Sequence, residues 1–501
     1  MIQSCAHYHD ETSYDRHHMT GHYLDWANQP DVYKDYPGIK PIGLPRQIQL
    51  PKERLSSLLR QPDTNDRVRK IDLEMLSRIL LLTYSLTAKA RHPGGDFYYR
   101  SAASAGALYP TEIYVASHAV NGLYDGLYHF AIHRHGLFPL RRGDLLSTIL
   151  SITQPEENKP LLTFFLSAIF FRSAWKYRAR SYRYHLLDTG HVAENLTLAL
   201  KAQRVPFSFS YDFDDWKVNH LLGLDEGREV SLAVAHVFGE VPDDAKVEEE
   251  IYSLPSDVLK ASRVSGREVD YPAITEMHQA GTAIVSRDGP QTGMIRQLGV
   301  ASKDWTELER QPKWPEVIDY PEAIFQRRSR RNFVKRPLTK DAMAALLEAL
   351  CAKELSKSGH ESAYDHSLCT GFLVRDVEGM EPGFYLYDPS KESISMVASG
   401  PFVETMTRIC LDQLWLANAA VHVLFLTNLD ILDRNWGPRG YRYAMMNAGR
   451  LGERLYIAAT AMELGCCGIG ALYDGEAAEL LGLNRESRLL YLVAVGPIKR
   501  V

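Results

Sequence analysis

Tyr182-Arg183-Tyr184, followed by Asp188, Gly190, Glu194 and Leu196, returns further along the chain as Tyr441-Arg442-Tyr443, followed by Asn447, Gly449, Glu453 and Leu455. The offset of 259 residues holds at each of these positions, and it also carries Leu221-Leu222-Gly223-Leu224-Asp225 onto Leu480-Leu481-Gly482-Leu483-Asn484. Self-similarity at one fixed offset marks a duplicated unit. In each copy an apolar stretch, Leu161 to Ala168 and Ala420 to Thr427, precedes the tyrosine-arginine-tyrosine segment, and a stretch with apolar spacing of three and four follows it. The first pattern predicts a buried strand and the second a helix, so the repeated unit is α+β. Gly190 and Gly449 fall early in the predicted helices, where a missing side chain either admits another backbone or marks an irregular helix start.

The 501 residues hold two such units of ordinary domain size with chain left over. We divide them into an N-terminal extension (1–55), a first domain (56–240), a linker (241–315) and a second domain (316–501). The linker has an acidic run, Glu248 to Glu250, scattered prolines and little periodicity, and is expected to wrap over the surface. Hydrophobic residues at 45 %, charged at 24 % and aromatic at 10 % are the balance of a soluble protein with self-sufficient cores, which excludes global disorder and fibrous repeats. Lysine plus arginine (57) against aspartate plus glutamate (62) leaves a net charge of −5. No excess positive charge is available to neutralise a run of phosphates, which argues against nucleic acid as a partner.

The longest apolar stretch, Leu161 to Phe171, falls far below the ~20 residues that span a bilayer, so no membrane association is expected. The polar start, with its many histidines, lacks the pattern of a secretory signal, and a cytoplasmic location is expected. The six cysteines include no C-x-x-C pair and are expected as reduced thiols. His7, His9, His17, His18 and His22 lack partners at ligand spacing, so no metal site is expected. The glycine-rich nucleotide loops, the zinc-protease motif and the serine-hydrolase elbow are all absent from the sequence.

Three stretches carry chemistry. Arg327-Arg328-Ser329-Arg330-Arg331, with Lys335-Arg336 behind it and Lys499-Arg500 at the far end of the same copy, offers guanidinium forks and a hydroxyl. Such a set suits a phosphate, although a solvated basic face reads the same way. Ser101 to Pro110 runs through Ser104-Ala105-Gly106, small residues that let backbone amides approach a flat ligand or simply make a turn. Trp175-Lys176-Tyr177 follows the buried strand of the first copy. A lysine beside a tyrosine forms an acid/base pair when burial or a nearby cation lowers its pKa, and otherwise it is a solvated loop residue. Arg178 and Arg180 are the charges that the sequence places beside it.

Together the RRSRR opening, the SAGALYP segment, the KY-x-x-R-x-YRY block and the terminal GPIKR resemble the flavin-dependent nitroreductase superfamily, and within it the SagB/ThcOx-type azoline dehydrogenases. The resemblance covers nearly the whole chain outside the linker. It implies two tandem nitroreductase-like domains, and FMN at an interface to which both contribute. It implies that Arg327, Ser329, Arg331 and Arg500 hold the FMN phosphate, and that Ser104, Ala105 and Gly106 approach the flavin from the other side. The Cys467-Gly468-Ile469-Gly470 loop would lie near the flavin ring, and Lys176 and Tyr177 would serve as base and helper. The implied activity is oxidation of a peptidic thiazoline or oxazoline, or a similar small substrate, to the azole, with oxygen as the simplest final acceptor. The implied partners are that substrate and other enzymes of a peptide-modifying complex. The alternatives are an NAD(P)H-dependent nitro or quinone reductase and, in another class, a flavin-free scaffold or peptide-binding subunit.

The sequence departs from a single-domain member in one informative way. Opposite RRSRR the first copy has Arg60-Gln61-Pro62-Asp63-Thr64, while the second copy has Tyr364 to Thr370 near the place of SAGALYP and Trp436-Gly437-Pro438 near that of Lys176-Tyr177. Each copy keeps the half that the other lost. In a two-fold internal pseudo-dimer the intact halves meet at one interface and the degenerate halves at the other, giving a single competent site.

Overall fold

Two seven-stranded sheets repeat one another strand for strand. The first runs in space as Ile42–Gly43, Gly136–Arg142, Gly126–Ala131, Thr111–Ser117, Leu162–Ile169, Glu229–Val237 and Phe207–Ser210. The second runs as Thr306–Glu307, Ser393–Ser399, Gly383–Asp388, Cys369–Val374, Val421–Asn428, Ser487–Gly496 and Gly465–Ile469, in the same order and again antiparallel throughout. Even a register irregularity is copied, between Leu166 and Ser167 in one half and between Phe425 and Leu426 in the other. The structure, a computed structural model, describes residues 1–19, 21–60, 70–92, 95–155, 159–240, 258–285, 293–302, 304–351 and 364–499. Among them, no helix is long and apolar enough to cross a membrane.

The strand Leu162–Ile169 is buried at every position, as its apolar run, interrupted only by Thr163 and Ser167, predicts. A short helix, Phe170–Tyr177, leads from it into the long helix Ser181–Gln203, and the second half repeats this with Leu429–Trp436 and Arg439–Ala461. Ser181–Gln203 has no solvent face at all, since every one of its residues is buried. It crosses its counterpart Arg439–Ala461 at Gly190 and Gly449. These glycines sit in the middle of the helices and not at their starts, because the helices begin before the motif that announced them. A Cβ on Gly190 would stand 2.3 Å from the Met446 carbonyl oxygen, and one on Gly449 would stand 2.3 Å from that of Leu187. The two backbones are in contact, which only the absence of both side chains allows.

Polar groups on the same helices close the crossing. Glu194 accepts from Arg450 Nε at 3.1 Å and Arg454 Nε at 2.5 Å, and His191 Nδ1 lies 2.5 Å from Glu453 Oε2. At the helix starts the halves exchange arginines. Arg180 and Arg183 of the first half bind Asp474 of the second, and Arg439 and Arg442 bind Asp215 of the first, each half reaching its aspartate at 2.7 Å. All six side chains are buried. Unpaired burial of any one charge would cost several kcal/mol, so each pair fixes the register of the other half.

The segment read as a surface linker packs into the core instead. Its described part forms the helix Pro272–Ala280, which buries Ala273, Ile274, Met277 and His278, and adds buried Met294 and Leu298. His278 meets Tyr182 Oη at 3.2 Å and lies beside Asp215, just as His9, on the N-terminal helix Cys5–Glu11, meets Tyr441 Oη at 3.0 Å and lies beside Asp474. Likewise Ile42–Gly43 and Thr306–Glu307 form the same edge of their respective sheets. The segment's helix thus does for the first half what the N-terminal helix does for the second, while its strand extends the second sheet as the N-terminal strand extends the first. Spaced apolar residues in so short a helix gave too little periodicity to be read, and residues 241–257 and 286–292 lie outside the described residues.

A glycine in a helix interior ordinarily destabilises by about 1 kcal/mol relative to alanine. At the crossing the sign reverses, because backbone oxygens occupy the space that a Cβ would need. Gly190→Ala and Gly449→Ala are each expected to destabilise by about 1–3 kcal/mol, as overpacking of a tight contact does. A urea unfolding midpoint shifted down in both variants meets this expectation, and a midpoint raised by the better helix former contradicts it.

Candidate functional site

The turn Ser104-Ala105-Gly106 lies against the end of the helix Phe170–Tyr177. Gly106 has φ +64°, and a Cβ on it would stand 2.7 Å from Tyr177 Oη and 3.2 Å from Lys176 Nζ. The turn is held from behind by Asp188, on the long helix of the same half. Ser104 Oγ donates to Asp188 Oδ2 at 2.5 Å, and the Ala105 amide donates to its Oδ1 at 3.1 Å. Ser104 also accepts the Tyr109 amide at 2.9 Å, so its hydroxyl serves the turn. Burial raises the Asp188 carboxyl to about 7, against the lowering effect of these two donors.

Lys176 Nζ lies 5.4 Å from the centre of the Tyr177 ring. Half-burial lowers the lysine's pKa, and the cation of Arg331 lowers it further. This differs from the expectation that Arg178 and Arg180 supply the charge. Arg178 is exposed and Arg180 is consumed by Asp474, whereas Arg331 arrives from the other half of the chain. Tyr177 is pushed well up by burial and by the neighbouring Tyr184 and Asp188, so it stays a phenol. The helix ends at Arg178 with φ 51° and ψ −140°, a conformation costly for a side-chain-bearing residue, where the second half has Gly437 at φ 61° and ψ −160°. The N-terminal extension braces this strained end, with a His22 ring nitrogen 3.0 Å from the Lys176 carbonyl and the Asp25 carbonyl accepting Trp175 Nε1 at 2.9 Å.

The second half supplies the facing wall. Arg327 is buried and donates from Nε to the Ser101 carbonyl at 2.5 Å and from Nη2 to that of Arg100 at 3.0 Å, so it ties the halves together directly behind the SAG turn. Its Nη1 is buried without a partner. Ser329, exposed, has its Oγ 2.9 Å from Tyr456 Oη, and Arg331 is exposed with its guanidinium 5.8 Å from the Trp415 ring centre. The stretch expected as the Cys467-Gly468-Ile469-Gly470 loop is largely the edge strand Gly465–Ile469, because its amides and carbonyls pair with Ser487–Gly496. The Gly468 amide donates to Tyr456 Oη at 2.6 Å, and a Cβ on Gly468 would collide with the Tyr491 hydroxyl at 1.7 Å. Gly470 touches the first half, where Tyr184 and Arg180 Nη2 both donate to its carbonyl. Tyr184 packs on Tyr177 at 4.5 Å between ring centres. Of the predicted site residues, Ser104 to Gly106, Lys176, Tyr177, Arg327, Ser329, Arg331 and Gly468 to Gly470 therefore gather at one junction. Arg500 lies outside the described residues, as do Gln61 to Thr64.

The related junction on the other side is filled. Tyr211 stands where the offset places Gly470, Asn435 where it places Lys176, and Asn447 where it places Asp188. Tyr211, Tyr364 and Tyr443 pack together, at 4.5 Å for the first pair and 4.9 Å for the second. Asp212 accepts from the hydroxyls of Tyr364 and Tyr443 and from Arg439 Nε. Tyr443 has its counterpart in Tyr184, whereas Tyr211 and Tyr364 add two phenol rings where the offset places Gly470 and Ala105 in the first junction. From the sequence Asp188 and Tyr184 were read only as markers of the repeat, and Tyr456 and Tyr491 were not read at all. The contrast between Asp188 and Asn447 was visible in the aligned copies, whereas Tyr456 and Tyr491 had no local signal.

Two separate stretches of the chain, residues 66–239 and 324–497, match the profile of the nitroreductase family. The chain belongs to the nitroreductase family, with two of its domains in tandem. Over its full length it is similar to a crystal structure titled as a nitroreductase from Anabaena variabilis, with 26 % identity, a TM-score of 0.77, and 99 % of this chain and 100 % of that one covered. It is also similar to the nitroreductase-family protein MJ1384 of Methanocaldococcus jannaschii, at 29 % identity over 35 % of this chain and 90 % of the relative. The microcin B17-processing protein McbC of Escherichia coli is 26 % identical over 40 % of this chain and 73 % of its own length.

Because Arg331 lowers the Lys176 pKa across the junction, Arg331→Ala is expected to raise it. The check is the pH profile of Lys176 acylation by an amine-reactive reagent, followed by peptide mass spectrometry. The half-reaction point is expected to move up in the variant, and an unchanged profile contradicts the placement of Arg331 beside Lys176.

Proposed function

We propose that the junction is a single FMN site and that the chain is an FMN-dependent oxidoreductase of the SagB type, which oxidises a peptidic thiazoline or oxazoline to the azole. The observation that carries this reading is Lys176, half-buried, lowered in pKa by a cation from the other half, and set beside a tyrosine that stays protonated. The residues present suit the cofactor. Arg331 and Ser329 are exposed and available to an anion, and Arg327 has one buried nitrogen without a partner. When bound, FMN supplies the two-electron acceptor, with dioxygen as the terminal oxidant.

The chain's own residues have the remaining work. Azole formation removes two hydrogens from the ring, one with its electron pair and one as a proton. Lys176, its pKa lowered by burial and by Arg331, takes the carbon-bound proton at Nζ. Tyr177 donates a hydrogen bond to the ring heteroatom or relays that proton, which it can do only as a phenol. Tyr184 and Gly106 fix the Tyr177 ring from two sides. A reductase that only passes electrons to a nitro group or quinone has no need of a base with a depressed pKa, and this favours dehydrogenation. The microcin-processing name of one relative agrees with a peptide substrate and with partners in a modifying complex.

Lys176→Ala is expected to retain FMN and to lose bleaching of the flavin by a synthetic thiazoline peptide by about 10²–10⁴-fold, the usual contribution of a positioned acid/base group. Dithionite reduction and reoxidation should be unchanged. Stopped-flow absorbance decides between the readings. Bleaching by the peptide that is equal in variant and parent removes Lys176 from the mechanism, and bleaching of the parent by NAD(P)H alone supports the reductase.

A further inference from the structure

We infer that Asp188 is a positioning residue of the flavin site, holding the Ser104-Ala105-Gly106 turn against Lys176 and Tyr177 through a buried carboxylate that the fold keeps at a cost to its own stability. The inference rests on the flavin reading of the junction and adds to it a residue that neither the motifs nor the family match assigns. Three observations lead to it.

First, the geometry is direct. Asp188 receives the Ser104 hydroxyl and the Ala105 amide, and the next residue, Gly106, abuts both Lys176 Nζ and Tyr177 Oη. Second, the surroundings do not favour a charge. The other titratable groups facing the carboxyl are the phenols of Tyr109, Tyr177 and Tyr491, from the turn, the Lys176 helix and the last strand of the second half. Among the described residues, no ammonium or guanidinium is paired with it. Third, the duplication has already made the informative substitution. The filled junction has Asn447 at this place, and its amide donates to the Tyr364 carbonyl at 3.1 Å, holding the segment that replaces the turn. An uncharged amide thus suffices to pack the position. The carboxylate survives in the copy that has Lys176 and Tyr177.

The folded carboxyl titrates at about 7, above its ordinary 3.8. The folded state therefore binds the proton more tightly than the unfolded chain does. Stability from this group is complete below the unfolded value and is lost as pH rises through the folded one. A neutral replacement escapes that loss. The ionised form gives the turn two acceptor oxygens, whereas the protonated form must donate from one of them.

The test uses the full chain, with Asp188→Asn and, as a second variant, Ser104→Ala. Thermal melting without cofactor is followed from pH 4 to 8. The lead of Asp188→Asn over the parent is expected to widen between about pH 4 and 7 and to level off above, whereas a merely structural contact would leave the variant less stable at every pH. FMN affinity, read by fluorescence quenching, is expected to fall in Asp188→Asn by about tenfold at pH 8 and little at pH 6, in keeping with a turn displaced by a fraction of an ångström. Ser104→Ala removes a donor to the carboxylate, so the inflection in the FMN affinity ratio should move to higher pH. A pH-independent ratio for Asp188→Asn, or melting that is lower at every pH, overturns the role of Asp188 and leaves the flavin reading standing. A parent chain that binds no FMN overturns both.

Discussion

Two helices can come this close, backbone to backbone, only where neither has a side chain, and the two long helices do so at Gly190 and Gly449. The contact sets how far apart the halves stand, and the rest of the molecule is consistent with that distance. Glu194 can reach Arg450 and Arg454 only because the helices are this close, and His191 can reach Glu453 for the same reason. Farther out, arginines at the start of each long helix extend into the other half to Asp474 and Asp215. Buried pairs of this kind add little net stability, but they punish every other register severely. The crossing supplies closeness and the ion pairs supply alignment.

A two-fold arrangement built this way makes two equivalent junctions, so a difference between them must come from side chains. Few are needed. Tyr211 in place of a glycine, with Tyr364 and Tyr443 packed on it, closes one junction with phenol rings anchored on Asp212. At the other, Gly470, Gly468 and Gly106 let Tyr184, Tyr491 and Tyr177 approach the backbone, and Arg331 acts on Lys176 across the junction. Neither half alone contains both the Arg327 to Arg331 stretch and the Lys176-Tyr177 pair. On the proposed reading, the duplication has turned a symmetric pair of junctions into one working place and one structural plug.

The sequence made the duplication readable because it keeps one offset through a helix that is buried on every side, where most substitutions are expensive. Complementary loss of motifs was readable for the same reason. What depended on contact through space was not. The charge acting on Lys176 comes from Arg331, 155 positions away, and the nearer Arg180 is spent on Asp474. The segment 241–315 looked like a linker because the packing residues of its described part are few and scattered, and its likeness to the N-terminal extension lies in equivalent places such as those of His9 and His278. Ser104 read as a ligand-facing hydroxyl, whereas its partner is a carboxylate on a helix more than eighty residues later. Backbone pairing also made an edge strand of what local sequence suggested as a loop at Gly468.

The central claim is that one junction per chain is competent and that both halves build it. The most direct measurement is the stoichiometry of FMN bound at saturation by the full-length chain, from flavin absorbance against protein determined by amino-acid analysis. The account predicts one FMN per chain, with no second class of sites at higher ligand concentration. Two per chain would mean that the tyrosine-filled junction also accepts the cofactor, and the division into a working site and a plug would fail.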